Sequence, residues 1–247
     1  MYKHVLVACL GLFSISCFAI DIIAPRIEGL IEKDGKGVYQ NLIEEASKRT
    51  GLVITEHVYP QKRALRFFFA KKHPCIYAYT DLAVTKLGRD NVIASFPLGS
   101  FKQYIFTAKG EPAITRIVAL KGLRVGGVLG DTEQDWFNLF KNNNIHYALA
   151  PSIQQNVDML ILGRIDAMVS FMPDAAKWSS QLSYDASSPL FSAYDRLTCH
   201  INPQTRDFIR IMSSILKQMK QDGTSQKILG DLYLDYDDKT FNPLFFD

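Results

Sequence analysis

The chain has 247 residues, of which 47% are hydrophobic, 21% charged and 12% aromatic, and its 28 basic and 25 acidic residues leave a formal net charge of only +3. Intrinsic disorder needs low hydrophobicity and high net charge, which this composition lacks. The 15 glycines and 10 prolines without a period exclude a collagen-like chain, and four cysteines exclude a disulfide-dense scaffold. The balanced charge offers no basic field for nucleic acid. A well-packed globular protein of one large or two small domains remains.

The first 19 residues are predicted to form a cleavable secretory signal peptide. Lys3 supplies the positive start, residues 5–15 are apolar but too short to span a bilayer, and Cys17 and Ala19 are small residues that match a cleavage site after Ala19. A short membrane anchor and a lipoprotein acylated at Cys17 are the alternatives. No later segment has about 18 consecutive apolar residues, so we expect a mature chain of residues 20–247 in the periplasm.

Cleavage would remove Cys9 and Cys17 and leave Cys75 and Cys199. Two thiols retained in an oxidising compartment are predicted to pair as a disulfide. The alternative is two buried thiols that pack as small hydrophobic groups, because the sequence does not show whether their Cα atoms lie close enough to be bridged.

Strands and helices alternate through the first half of the mature chain. The helix that begins near Val38 buries a face spaced at helical intervals, and Gly51 closes it. In order, the predicted elements are a strand over 20–25 that stops at Pro25, the helix from Val38, a strand over 52–59, a helix over 61–70, and strands over 75–78 and 92–96.

The second half repeats this alternation. Ser152 is a predicted helix cap and Gly163 a predicted helix end. The predicted elements are strands over 123–129, 145–149 and 165–169, and helices over 132–142, 153–162, 205–220 and 225–234. Alternation of this kind indicates βαβ units and largely parallel sheets, and its break near residues 109–112 indicates two α/β lobes.

Three stretches resemble one known family. The first is Asp81-Leu-Ala-Val-Thr-Lys-Leu-Gly-Arg89 followed by Ser95-Phe-Pro97; the second is Leu120-Lys-Gly-Leu-Arg-Val-Gly126, continuing to Gly130-Asp-Thr132; the third is Gly163-Arg-Ile-Asp-Ala167. In this order behind a signal peptide, the chain resembles the periplasmic solute-binding proteins of family 3, the amino-acid-binding receptors of ABC importers.

The resemblance implies a two-lobe clamshell of the type II periplasmic-binding-protein kind, with each lobe a mostly parallel sheet flanked by helices. Lobe one would comprise residues 20–107 and 196–247, and lobe two residues 108–195. A small ligand would bind in the cleft, and the lobes would close around it by a hinge motion. Cys75 and Cys199 would both lie in lobe one, which is compatible with a bond between them.

The resemblance also implies ligand-binding residues. Arg89 matches the arginine that binds the ligand α-carboxylate, and a guanidinium suits a planar carboxylate because it offers two parallel hydrogen bonds. Thr80 and Asp81 follow a predicted strand, where open α/β sheets bind ligands, although ordinary turn chemistry is the alternative. Arg63, at the start of a helix, is a further candidate, and the alternative is a solvated arginine on the helix surface. Phe171 is another, and the alternative is a phenylalanine of the core.

Gly130, Asp131 and Thr132 match a loop that gives the family's ligands a hydroxyl group and backbone donors. Asp131 departs from the pattern, because an aspartate repels a carboxylate and favours an ammonium group. Thr132 to Asp135 also resembles a helix capping box, and a cap can coexist with ligand contact.

The acid that usually follows the Gly163 motif, and that pairs with an α-ammonium group, is absent. Ser170 and Phe171 occupy that place, and the next acid is Asp174. Asp166, within the motif, is predicted to be structural. An α-amino-acid ligand is therefore in question.

We expect a monomeric receptor, not an enzyme, that captures a small polar solute, amino-acid-like or carboxylate-bearing, for an inner-membrane permease or a sensor. The alternative is a periplasmic enzyme on the same fold, such as a cyclohexadienyl or prephenate dehydratase, which would need a cleft acid or base such as Asp81, Asp131 or Asp174. A cytoplasmic regulator's effector domain conflicts with the signal peptide. The five histidines are scattered along the chain, so no metal site is expected. No phosphate-binding loop is present, so no cofactor is expected, and the balanced charge leads us to expect no nucleic-acid partner.

Overall fold

Two sheets, each packed between helices, organise the computed structural model, which describes residues 19–129 and 137–236. The first part of the chain contains β1 (Ala19–Pro25), α1 (Val38–Thr50), β2 (Val53–Tyr59), α2 (Gln61–Phe69), β3 (Cys75–Tyr77), α3 (Thr80–Leu87) and β4 (Val92–Ala94). The middle part contains β5 (Gly99–Ala108), β6 (Val125–Val128), α4 (Phe137–Asn142), β7 (Tyr147–Ala150), α5 (Ile153–Ile161), β8 (Ala167–Met172), β9 (Leu182–Ser183) and β10 (Phe191–Asp195). The last part contains β11 (Leu197–His200), α6 (Pro203–Gln221) and α7 (Thr224–Leu229).

The first sheet has the strand order β2-β1-β3-β11-β4. β1 pairs in parallel with β2 and β3, whereas β11 is antiparallel to both β3 and β4. The second sheet has the order β10-β5-β8-β6-β7, with β9 also paired to β5. Here β5 is antiparallel to β8, β9 and β10, while β6 is parallel to β7 and β8.

The predicted two-sheet α/β class is confirmed. The sheets differ from the prediction in one respect: each contains a strand that is antiparallel to its neighbours. β11 runs against its neighbours in the first sheet, and β5 runs against its neighbours in the second. Both are strands through which the chain passes from one sheet to the other, so each enters its new sheet without the crossover helix that a parallel connection needs. Residues 99–107, placed in lobe one by the sequence, form most of β5 in the second sheet. The lobe boundaries stay a prediction.

Both faces of each sheet are buried. In β1, the neighbouring residues Ile22 and Ile23 are fully buried on opposite faces, one against α1 and α6 and the other against α2 and α3. Ile105 and Phe106 of β5 divide in the same way between the two cores of the second sheet. Strands covered on both faces tend to have near-continuous apolar sequences, as in β1, which was predicted from the sequence.

The helix ends follow local chemistry. Gly51 ends α1 in the left-handed conformation with φ of 72°, as predicted. Ser152 caps α5 by accepting a hydrogen bond from the backbone N–H of Gln155, also as predicted. Asn202 caps α6 by accepting from the backbone N–H of Thr205. Within the described ranges, no helix has the length and apolar character needed to cross a membrane.

The predicted bond between Cys75 and Cys199 is confirmed. The two cysteines lie directly opposite each other in the antiparallel pair β3 and β11. Because 124 residues separate them in sequence, the bond ties the returning end of the chain to the first sheet. The predicted signal peptide lies outside the described residues except for Ala19, which begins β1.

Candidate functional site

A cavity of about 480 Å³ lies between elements of the two sheets. One wall comes from the segment after β1 and from the junction of β3 with α3, and the other comes from β5, β8, β10 and the turn after β8. The lining residues are Ile27, Leu30, Ala78, Tyr79, Thr80, Asp81, Leu82, Phe101, Phe171, Asp174, Phe191, Tyr194 and Asp195. A site that takes residues from both sheets can respond to a ligand by bringing them together.

An unusual backbone turn forms the first wall. Ala78 and Tyr79 both have a positive φ, of 58° and 57°, which costs a residue with a side chain on the order of 1 kcal/mol or more. The backbone N–H of Ala78 donates to the carbonyl of Arg196 at 2.8 Å, which anchors the turn to the start of β11. This turn ends β3 and begins α3, so Thr80 and Asp81 project from the first turn of α3 into the cavity lining.

Three phenylalanines form an aromatic wall on the second sheet. Phe171 of β8 and Phe191 of β10 both pair in register with Gln103 of β5, and Phe101 precedes Gln103 by two residues, so the three rings share one face. The Phe101 ring packs edge-on against Phe171 at 5.2 Å between centroids and lies 6.1 Å from Phe191. The wall therefore offers ring faces and edges to a ligand.

Three carboxyl groups line the same cavity: Asp81, Asp174 and Asp195. Asp195, the last residue of β10, is buried, and the Tyr39 hydroxyl donates to its Oδ2 at 2.9 Å. The tyrosine reaches it because Gly99 has no side chain; a Cβ there would lie 2.9 Å from the Tyr39 hydroxyl oxygen. Burial raises the Asp195 pKa from 3.8 to about 7; the Tyr39 hydrogen bond opposes this shift and the Asp81 charge adds to it.

Acidic side chains outnumber basic ones among the described lining residues of the cavity. Within the part of the chain that the structure describes, no lysine, arginine or histidine is among its lining residues. Arg196, next to Asp195 in the chain, is buried and lies over the Tyr194 ring at 5.3 Å from its centroid. Burial lowers the Arg196 pKa, whereas the Asp81 charge raises it, so this guanidinium offsets part of the Asp81 charge. The lining residues that the structure describes thus include three acidic side chains and no basic one, a composition that suits a cation.

The structure brings together three of the predicted site residues. Thr80, Asp81 and Phe171 all line the cavity. The Thr80 hydroxyl is 2.7 Å from that of Thr198, so it is engaged within the protein. Asp166 is not part of the cavity; Arg124 holds it in an ion pair of 2.6 Å, in line with its predicted structural role.

Arg89 and Arg63 are not brought to the cavity. Arg89 is exposed. The residues from Thr80 to Leu87 form α3, and Arg89 lies in the short turn that follows this helix. Arg63 is on the exposed side of α2, next to the buried Ala64 and Leu65. Their predicted ligand contacts have no support in this geometry and stay predictions. Gly130, Asp131 and Thr132 lie outside the described residues.

The sequence reasoning missed most of the cavity. Asp174, named from the sequence only as a candidate cleft acid for the enzyme alternative, follows β8 by two residues and is a lining residue. Asp195 ends β10, and the sequence offered no signal for it, because its role depends on burial and on contact with Tyr39. Phe101 and Phe191 belong to β5 and β10, which were not predicted as strands.

The fold is found in solved structures of ligand-binding proteins. No family model matches the chain, and no curated protein matches it in sequence. The ligand-binding core of GluR0 from Nostoc punctiforme in complex with L-glutamate is similar in structure, with a TM-score of 0.68 and 16% identity over 87% of this chain and 99% of that one. The probable amino-acid ABC transporter extracellular-binding protein ytmK from Bacillus subtilis gives 0.68 and 18% over 88% of this chain and 99% of that one.

The ancestral amino-acid-binding protein AncCDT-1, a precursor of cyclohexadienyl dehydratase, gives a TM-score of 0.67 and 17% identity over 88% of this chain and 96% of that one. At such identities the similarity establishes architecture and leaves the ligand open. The chain therefore has the two-sheet fold of the periplasmic amino-acid-binding proteins.

Proposed function

We propose that this protein is a solute-binding receptor whose cavity takes a small organic cation, one that carries an ammonium group. The observation that carries the proposal is the composition of the cavity: an aromatic wall and three carboxyl groups, with no cationic side chain among its described lining residues. Its volume of about 480 Å³ is in the range of small-molecule sites.

The two kinds of lining group act on the same ligand charge. A carboxylate forms charge-assisted hydrogen bonds with an ammonium group, at roughly twice the strength of neutral ones. A face of Phe101, Phe171 or Phe191 that is turned towards the ligand would attract its cation through the ring quadrupole, with an energy on the order of 1 kcal/mol when water is excluded. An ammonium group held between this wall and Asp174 or Asp195 would make both interactions, the charge-assisted hydrogen bond and the cation–π contact.

This proposal revises the ligand expected from the sequence. A carboxylate ligand needs a guanidinium or backbone donors, and Arg89 is exposed away from the cavity. An incoming carboxylate would instead approach Asp81, Asp174 and Asp195, which repel it. An amino-acid-like ligand is compatible only through its ammonium group, and Asp174 takes the place of the acid that the sequence lacked.

The wider setting is part of the same proposal. The predicted signal peptide directs the chain to the periplasm, where the Cys75–Cys199 disulfide is stable. The neighbours in structure include receptors for amino acids. We infer that ligand bridging the two walls favours a closed form, which an inner-membrane permease or a sensor would recognise.

Isothermal titration with putrescine, a four-carbon diammonium, tests the proposal. We expect Asp174→Asn to weaken putrescine binding by about tenfold or more, since the loss of a charged hydrogen-bond partner costs roughly 1.5–3 kcal/mol. Asp231→Asn makes the same charge change at an exposed turn outside the cavity and is the matched control. Equal affinities of the two variants for putrescine would contradict the proposal.

A catalytic role is the second candidate, because Asp195 combines burial in a cavity with a pKa of about 7, the value suited to a general acid or base near neutral pH. The similarity to a dehydratase precursor supplies the reaction to test. If the protein were such an enzyme, incubation with prephenate or arogenate would give a product detectable by absorbance, and Asp195→Asn would abolish its formation. The acidic cavity disfavours such carboxylate substrates, so we expect no turnover.

A further inference from the structure

We propose that Asp21, His57 and His73 form a binding site for a divalent transition-metal ion of the Zn²⁺ type, outside the cavity and on the edge of the first sheet. One possible ligand atom from each residue lies within 4.8 Å of the others. This inference does not rest on the proposed function, because none of the three residues lines the cavity.

The sheet register places two of the three ligands together. Asp21 of β1 pairs with Thr55 of β2, and Ile23 pairs with His57, so Asp21 and His57 are diagonal neighbours on one face of the parallel pair. Nε2 of His57 is 3.2 Å from Oδ1 of Asp21. Ligand atoms about 2.0–2.2 Å from a tetrahedral Zn²⁺ are roughly 3.4 Å apart, so this pair already has the required spacing.

The third ligand comes from the loop between α2 and β3. The His73 ring lies 4.6 Å from the His57 ring and 6.5 Å from the Tyr59 ring, measured between centroids. His57 and Tyr59 are two residues apart on β2 and share its face, so His73 packs over the same strand. A shift of about 1 Å in these side chains closes the remaining spacing to that of a bound ion.

The donor set selects the kind of ion. Two imidazole nitrogens and one carboxylate oxygen suit Zn²⁺ and its neighbours in the first transition series, whereas Mg²⁺ and Ca²⁺ prefer all-oxygen ligands. Three protein ligands leave a fourth position for water. The side chains of Asp21 and His57 are 55% and 34% exposed, so solvent and an incoming ion reach the site.

Binding would join three segments that are distant in the sequence. The ion would link β1, β2 and the loop before β3, next to the disulfide-bonded β3. An ion that binds the folded chain stabilises it in proportion to the logarithm of its concentration over Kd. Zn²⁺ is therefore expected to raise the melting temperature of the untagged chain, and Mg²⁺ to leave it unchanged.

The test is titration of the untagged, chelator-treated chain with Zn²⁺ by calorimetry, with Co²⁺ absorbance as a report of coordination. We expect one ion per chain, and a loss of affinity of more than about tenfold in both His57→Ala and His73→Ala. His146→Ala removes an exposed histidine outside the cluster and should bind as the unmodified chain does. Retention of full affinity by either cluster variant would overturn the site.

A variant that misfolds would also lose Zn²⁺ affinity, so NMR on the unmodified chain provides a second test that needs no substitution. Imidazole nitrogen resonances of His57 and His73 should shift together at one equivalent of Zn²⁺, while those of His146 and His200 should not. Shifts spread evenly over all four histidines would mean adventitious binding and would contradict the proposal. Putrescine titrated with and without Zn²⁺ should give the same affinity, which keeps the metal site and the proposed receptor function separately testable.

Discussion

Asp166 and Asp195 are two carboxyl groups of the same chain in opposite settings. Asp166, half-buried just before β8, accepts hydrogen bonds from the Arg124 guanidinium at 2.6 and 3.0 Å and from the Arg124 backbone N–H at 2.8 Å. These hydrogen bonds, first from the Arg124 side chain and then from its backbone, lower the Asp166 pKa to about 2. Asp195 is buried at the cavity with the Tyr39 hydroxyl as donor, and burial raises its pKa to about 7.

The ionised form of Asp166 stabilises the folded state, whereas the ionised form of Asp195 destabilises it because the group is buried. Asp166 is already paired within the protein, because the Arg124 side chain and backbone donate three hydrogen bonds to it. Asp195 accepts a hydrogen bond from the neutral Tyr39 hydroxyl, where Asp166 has a guanidinium, and burial disfavours its charged form. Groups held in this way concentrate at functional sites.

The largest effect should appear in the pH dependence of stability. Because the Asp195 pKa is raised from 3.8 to about 7 on folding, the unfolded chain binds fewer protons than the folded chain between these values, so stability falls as pH rises through this window. At about 1.4 kcal/mol per pKa unit the loss is at most about 4 kcal/mol. Asp195→Asn should remove it, so the variant gains stability relative to the unmodified chain between pH 4 and pH 8.

Urea unfolding at a series of pH values measures this effect. Asp231→Asn is the control, since its exposed position should leave the pH profile of the unmodified chain intact. If Asp195→Asn and the unmodified chain have parallel profiles from pH 4 to pH 8, the buried-charge account of Asp195 is wrong.

The next effect is on ligand affinity. If the cation binds only the ionised form of Asp195, the apparent Kd for putrescine scales inversely with the ionised fraction. That fraction rises about tenfold from pH 6 to pH 8 for a pKa of about 7, so affinity should rise about tenfold, a free-energy change of about 1.4 kcal/mol. In Asp195→Asn the affinity should be lower and nearly independent of pH. Calorimetry at pH 6 and pH 8 measures the affinity of both proteins for putrescine. If the affinity changes equally with pH in the unmodified chain and in Asp195→Asn, Asp195 is not the group that binds the cation.

The smallest effect belongs to Asp166. Its pKa is lowered, so its stabilisation is present above the ordinary value of 3.8 and is lost as pH falls towards about 2. The pair is largely exposed and screened by solvent, so Asp166→Asn should cost about 1 kcal/mol or less. Urea unfolding at pH 7 measures this loss, and putrescine affinity should not change. A large change in affinity would show that the two acids are not separate in function.

The fold was predictable where its elements carry their own signals. α1 with Gly51 and α5 with Ser152 were predicted from apolar spacing and end residues that act locally. β10 and β11 were missed because they are short, and their pairing partners in β5 and β3 lie far away in the sequence. β5 was missed although it has ten residues, since its role depends on strands on both sides.

The site was predictable only in part, for a related reason. Thr80 and Asp81 were found because they follow a recognisable strand, where ligands of α/β sheets bind. Arg89 was expected from a local motif; it follows the end of α3 and is not among the described lining residues, so its ligand contact stays a prediction. Asp195 was not found, since its significance comes from burial beside Tyr39, 156 residues away in the sequence.

The most direct test of the central claim compares three four-carbon probes by thermal shift at pH 8: putrescine with two ammonium groups, 4-aminobutanoate with one ammonium and one carboxylate, and succinate with two carboxylates. The account predicts the largest rise in melting temperature with putrescine, a smaller one with 4-aminobutanoate and none with succinate, because Asp81, Asp174 and Asp195 line the cavity. A rise with succinate and none with putrescine would contradict the account.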